Sequence, residues 1–268
     1  MSESAARIRP FQPSDQKLVR FYVGKSRMEG LTSANVRVYT NFFVLAIWIA
    51  LSSAFVHYMQ WWPRREKGLL ENLSPLSAFA CMALPIMFIT DWVNRPDFEK
   101  SMNDALRRPD LVDTAIYYAR SPASGFWILE FNDRFVGLIA VDASLDSTSD
   151  EVVVGSDKPA EENAKPAKSY STKGTSNVAT IRHFYVEEPY RTASVQDDLL
   201  EHAIKHAFAE KEVERIRAVN ESLVPYIGEA LHRQGFVSAS VLETVGVLNW
   251  HVHESVLERK VWESKQKA

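Results

Sequence analysis

GFWILEFNDRFVGLIAV, residues 125–141, consists of two runs of β-favouring residues joined by Asn132-Asp133. Aromatic and branched side chains suit a pleated, half-buried surface, and an Asn-Asp pair suits a tight turn, so the stretch predicts a β-hairpin. Downstream, VATIRHFYV at 178–186 predicts another strand. A turn at 187–191 leads into a helix over about 194–211, with Leu199, Leu200, Ala203, Ile204, Ala207 and Phe208 at helical spacing. A short strand at 215–220 follows, then a helix at 222–234 with Ser222 as its cap and Gly235 as its stop, then one or two strands within 237–261. Upstream, 7–11 reads as a strand. Ser14 or Asp15 caps a helix whose apolar side carries Leu18, Val19, Phe21 and Tyr22, and 97–108 is a polar helix closed by Pro109. Strands alternating with helices place the chain in the α/β (α+β) class.

Two apolar runs interrupt this pattern. Residues 38–62 contain no Asp, Glu, Lys or Arg, and roughly 20 helical residues cross a bilayer core. Tyr58, Trp61 and Trp62 cluster at one end, where amphipathic rings favour the lipid–water boundary. The second run, 73–90, holds Pro75, which suits a first turn, and Pro85, which kinks a helix interior. Its small residues Ser77, Ala78, Ala80 and Ala83 allow close helix packing. The pair predicts a transmembrane helical hairpin, against the alternative of a hairpin buried in a soluble core. The larger basic count lies outside it, at Lys25, Arg27, Arg37, Arg95, Lys100, Arg107 and Arg108 against Arg64, Arg65 and Lys67 in the connecting loop. That bias puts both termini in the cytosol.

The chain has 268 residues and a formal net charge of -3, which gives no electrostatic footprint for nucleic acid. The single cysteine, Cys81, excludes an internal disulfide and a cysteine-rich zinc site. His251 and His253 fall on one strand face without a third ligand, so no metal site is expected. Residues 142–177 are rich in Ser, Asp, Glu, Lys and Pro and read as a disordered loop, with Ser147, Thr148 and Ser149 as sites open to phosphorylation.

The order of elements resembles the GNAT N-acetyltransferases. The resemblance rests on 126–141 as their second and third strands, 178–186 as the central strand, Glu188-Pro189-Tyr190-Arg191 before the cofactor loop, Asn220 at a strand end, and Gly235-Phe236 closing the fourth helix. It implies a GNAT-like mixed central sheet flanked by helices, with the transmembrane hairpin inserted, similar to membrane-bound acetyltransferases of the endoplasmic reticulum. The domain plan is then 1–37, 91–141 and 178–261 for the GNAT-like unit, 38–90 for the hairpin, 142–177 for the loop and 262–268 for a tail. The resemblance further implies acetyl-CoA as co-substrate, held by Tyr185, Val186, Arg191, Thr192, Ala193, Ser194, Val195, Gln196 and Asn220.

The chain departs from the family at two places. Ser194 and Gln196 stand where the cofactor loop carries glycines, and Leu231 stands where the family places an acid tyrosine. His183 on the central strand and Tyr226, a turn before Leu231, are the remaining catalytic candidates. Two readings follow. One is a membrane-anchored enzyme transferring an acetyl group from acetyl-CoA to an amine. The other is a catalytically silent GNAT-like domain serving as an assembly or packaging factor for another membrane protein, such as a transporter at the endoplasmic reticulum.

Overall fold

The computed structural model describes residues 6–63, 73–149 and 173–267. Its centre is a seven-stranded sheet of β1 (Ala6–Pro10), β2 (Gly125–Phe131), β3 (Arg134–Ser144), β4 (Thr175–Val186), β5 (Arg215–Glu221), β6 (Val237–Val245) and β7 (Trp250–Glu258). The spatial order is β1-β2-β3-β4-β5-β7-β6, and every neighbouring pair is antiparallel except β4 with β5. The β2–β3 hairpin turns at Asn132 and Asp133, both at positive φ, the geometry whose twist matches the flanking strands.

Helices cover both faces. One face carries α5 (Val195–Ala209), α6 (Pro225–Gln234) and α7 (Arg259–Gln266). On α5 the buried side is the expected one, Leu199 to Phe208. The expected C-terminal tail is part of α7, whose Trp262 packs on Phe208 with ring centroids 5.3 Å apart. The other face carries α1 (Gln16–Tyr39), α3 (Ser74–Leu106) and α4 (Thr114–Tyr118). On α1 the buried side is Val19, Val23, Leu31, Ala34 and Val38, while Leu18 and Phe21 are exposed. The buried stripe continues along the whole 24-residue helix because α3 lies beside it. Gly30 permits that approach: a Cβ there would sit 2.8 Å from the Phe98 ring.

The apolar runs differ from their expected limits. The first is divided, because α1 runs to Tyr39 and the chain bends by 61° into α2 (Phe42–Tyr58). Asn41 makes the break, its Oδ1 accepting the Phe43 N–H at 3.0 Å. The second run and the polar helix after it form one helix, α3, through both Pro85 and Pro96. Among the described residues α3 alone is long and apolar enough to cross a membrane, with a mean hydropathy of 1.7 over its most apolar window and 11% of that window buried. The α1–α2 pair meets the same test only as one bent unit.

The expected loop at 142–177 is shorter at both ends. Asp142–Ser144 belong to β3 and Thr175–Asn177 to β4; residues 150–172 lie outside the described residues. Ser147 is fully buried, its hydroxyl donating to the Val178 carbonyl at 2.6 Å, so a kinase has no access to it. The charges of this region are buried together instead. Asp142 accepts from Arg182 Nε at 3.1 Å, Arg182 Nη2 at 3.0 Å and Tyr117 Oη at 2.9 Å, while Arg120 bonds Asp146 at 2.9 Å.

Removing Asp142 leaves the Arg182 guanidinium buried without its main counter-charge. Asp142→Ala is expected to destabilise the domain by about 3–5 kcal/mol, read as a lowered denaturation midpoint in detergent; a loss no larger than that of a surface alanine substitution would remove this network from the account of the fold.

Candidate active site

β4 and β5 are paired at four positions, from Val178↔Arg215 to Ile181↔Ala218, and then part. β4 continues to Val186 along β3, and β5 continues to Glu221 along β7. The cause is local. Ala140 faces His183 but Val141 faces Ile181, so Arg182 is one residue too many in β4. Such a bulge bends and twists its strand.

The parted strands enclose a cleft lined by Ser26, Arg27, Arg182, Phe184, Glu221 and Leu231 among others. Its free volume is about 50 Å³, room for a few waters. Arg27 of α1 crosses it, with Nη1 3.3 Å from Glu221 Oε1 and Nη2 3.5 Å from the Arg182 carbonyl. Burial raises the Glu221 carboxyl above the ordinary range, against the pull of Arg27 and helped by Glu243 and Glu29. A raised carboxyl beside a charged partner in a cleft is a candidate for proton transfer.

At the cleft's far end the last residue of β4 is held by side chains. The Val186 N–H donates to Tyr226 Oη at 3.3 Å, and the Val186 carbonyl accepts from Arg191 Nε at 2.8 Å. Arg191 also forms a two-pronged ion pair with Glu29 of α1, at 2.5 and 2.9 Å, and lies 3.8 Å from the centre of the Tyr226 ring. Burial and Glu29 push the Tyr226 hydroxyl up, against Arg191, so it is a protonated donor at neutral pH.

Residues Glu188–Ala193 form a 3-10 turn, and Ser194 takes the left-handed conformation at φ 56 before α5 begins. Ser194 adopts the backbone that glycine favours. The Gln196 side-chain amide donates to the Arg191 carbonyl at 3.2 Å, and its Oε1 is buried without a partner. Asp197 in the first turn is countered by Arg233, with contacts from 3.0 to 3.1 Å. At the α5 start the Asp197 N–H is bonded to the Ser194 carbonyl at 2.9 Å and Asp198 is a second acidic residue of the first turn, so the helix dipole there favours an anion and Asp198 opposes it.

Val186, Arg191, Gln196 and Tyr226 are thus brought together at the end of β4, and the Tyr185 ring lies 5.8 Å from the Arg191 guanidinium. Asn220 is at the end of β5, paired with His253, its side-chain amide against α6, where a Cβ on Gly228 would lie 2.6 Å from Asn220 Oδ1. His183 is not brought to that end with its ring. Its Nε2 meets Asp110 Oδ2 at 2.6 Å, with both side chains buried. Tyr118 Oη also donates to Asp110, at 3.0 Å. Glu221 and Arg27 escaped the sequence reading because they are 194 positions apart. The position of Glu221 beside Asn220 at a strand end was the available signal. The His251 and His253 rings meet edge-to-face with centroids 5.8 Å apart, and among the described residues no cluster could hold a metal.

The sequence model of the acetyltransferase (GNAT) family matches residues 87–236. No curated protein matches the chain. Solved structures with a similar course include a GNAT-family acetyltransferase from Streptococcus pneumoniae, 10% identical over 95% of this chain and 99% of that one, with a TM-score of 0.46. The spermidine/spermine N-acetyltransferase SpeG from Vibrio cholerae is 9% identical over 97% and 98% of the two chains, with a TM-score of 0.47. Aminoglycoside acetyltransferase AAC(6')-Ib in complex with coenzyme A is 11% identical over 98% and 99%, with a TM-score of 0.43. At these identities nothing about substrate transfers.

The buried Asp110 gives a pH test. Burial alone would raise its carboxyl, but the His183 imidazole, the Arg182 guanidinium and the Tyr118 hydroxyl hold it down to about 2. A depressed carboxylate contributes stability above its unfolded value of 3.8, and that contribution is lost as pH falls from there to about 2. Asp110→Asn should flatten this acid limb by about 2 kcal/mol, seen as a smaller drop in denaturation midpoint over the same interval. Equal drops in the two proteins would contradict it.

Proposed function

The chain belongs to the acetyltransferase (GNAT) family, and from that premise we propose that it is a membrane-anchored enzyme that moves the acetyl group of acetyl-CoA to an amine. The observation that carries the catalytic part is the parting of β4 and β5 after Ile181↔Ala218, with the half-buried Glu221 in the gap. In this reading Glu221, once ionised, takes the proton of an incoming amine, and Tyr226 holds a proton at Oη for the leaving thiolate. The first-turn amides of α5, with Thr192, Ala193, Ser194, Val195 and Gln196, would hold the pyrophosphate. Tyr185, Val186, Arg191 and Asn220 would line the rest of the co-substrate. Arg27 crosses the cleft, so its contacts with Glu221 and the Arg182 carbonyl would give way to an incoming substrate.

The anchoring part of the proposal rests on α3 and α2, both richly apolar at the surface, with α2 reaching a spanning length only together with α1. With two crossings both termini stay on one side, which the basic bias makes the cytosol, and the endoplasmic reticulum is the proposed membrane.

A second reading, a silent GNAT-like domain that assembles or packages another membrane protein, is favoured by two observations. Leu231, which cannot donate a proton, lines the cleft, and Arg191 is committed to Glu29.

Titration separates the two. Acetyl-CoA at a hundred times its dissociation constant stabilises a true binder by about 2.7 kcal/mol; an unchanged melting curve at millimolar ligand would leave only the silent reading. Given turnover, Glu221→Gln should lower kcat by about 10²–10⁴-fold. The wild-type rate should climb with pH through a value above the ordinary glutamate range, since the ionised form is the active one. A flat profile excludes Glu221 as base. For the anchor, the polypeptide should stay in the pellet when membranes are washed with alkaline carbonate; its release into the supernatant would refute an integral span.

A further inference from the structure

We propose that the tip of the β6–β7 hairpin is a second membrane contact, seated in the headgroup layer beside the point where α3 leaves the lipid. The inference rests on the anchoring reading above and extends it from the apolar helices to the catalytic domain itself.

The tip spans residues 246–249, between Val245 and Trp250. It is bolted to α3 through its backbone. The Val247 N–H donates to Asn94 Oδ1 at 2.9 Å, and the Gly246 N–H donates to Asp97 Oδ2 at 3.0 Å. Asn94 is fully buried, and its Nδ2 donates to Asn35 Oδ1 at 2.9 Å. Asn35 Nδ2 in turn donates to Asp91 Oδ1 at 2.9 Å. A single polar relay therefore joins α1, α3 and the hairpin at one level of the molecule. Buried and satisfied, such a relay holds its members rigidly.

That level is the end of the apolar helix surface. Leu84, Met87, Phe88, Ile89, Trp92 and Val93 are all exposed, and Asn94 is the next residue. At 1.5 Å per residue, Asn94 and Asp97 lie about 1.5 and 6 Å along the axis beyond Val93. The headgroup layer on each side of a bilayer core is about 5–8 Å thick. A helix whose apolar surface ends at Val93 thus brings Asn94, and the tip bonded to it, into that layer. Trp92, 68% exposed, is the residue type that favours the same layer.

The tip has the matching chemistry. Gly246 and Asn249 at positive φ make the turn, and the two residues between them, Val247 and Leu248, are apolar and 48% and 44% exposed. Neither has an apolar cluster of the domain over it. Their apolar surface is continuous in level with that of α3, so one partner, the lipid interface, covers both. The catalytic domain would then be held at two points and not swivel on its stalk, which sets the orientation of the β4–β5 cleft to the bilayer.

Depth-resolved quenching tests this on the full chain. Single cysteines replace Leu248 at the tip, Leu84 in α3 and Glu229 on α6, in a Cys81→Ala background, and each carries an environment-sensitive fluorophore. The proteins are reconstituted into phosphatidylcholine vesicles holding lipids spin-labelled either near the headgroup or near the chain end. The label at Leu248 should be quenched severalfold more than that at Glu229, and chiefly by the headgroup-proximal quencher. The label at Leu84 should respond to the deep one. Quenching at Leu84 with none at Leu248 above the Glu229 level overturns the tip contact and leaves the anchor standing. Absence of quenching at both positions overturns the anchor, and the tip contact with it.

Discussion

One residue too many in β4 governs the half of the molecule around the cleft. Arg182 stands opposite no residue of β3, and past it β4 no longer pairs with β5. The bulge sends the Arg182 guanidinium into the buried network with Asp142 and Tyr117. The same strand segment that is loosened on its β5 side is thereby fastened behind, where charge-assisted bonds are strong because water is excluded. An open edge in the middle of a sheet would expose unpaired backbone groups. Here Tyr226, Arg191 and Arg27 occupy the carbonyls and amide that β5 has abandoned.

The electrostatics of the cofactor loop follow from that arrangement. Arg191 is the loop's matching residue, yet its charge is balanced by Glu29 from α1. Asp197, which would repel an anion at the start of α5, is balanced by Arg233 from α6. Asp198 in the same first turn adds a further negative charge, so an anion at this loop would be held by backbone amides and the helix dipole more than by free cations. Releasing Arg191 requires α1 to give up an ion pair, so α1 couples the cofactor end of the cleft to the stalk that continues into α2.

That stalk is as much a part of the domain as of the apolar hairpin. α1 and α3 pack closely at Gly30 and Phe98, and Leu223, directly after the β5 end that bears Glu221, joins the same cluster. The Asn35–Asn94 pair ties the two helices where their character changes from polar to apolar.

Periodicity alone determined the β2–β3 hairpin, the buried side of α5, the strand at 178–186 and the existence of two long apolar stretches, because each depends on near neighbours in the chain. The same local logic misplaced boundaries. Nothing in residues 90–97 announces that one helix runs through two prolines, and Ser147 looks like an exposed loop residue until β4 closes over it. Arg191 was legible as the loop residue that matches the family pattern, but not that it would be paired with Glu29 across 162 positions. Glu221 with Arg27, and His183 with Asp110, were decided by tertiary structure alone. Hydrophobic and helical patterns repeat over a few residues and leave a trace in one stretch of sequence. A pairing of charges across a cleft or core has no period; it exists only once the sheet has brought the two ends of the chain together.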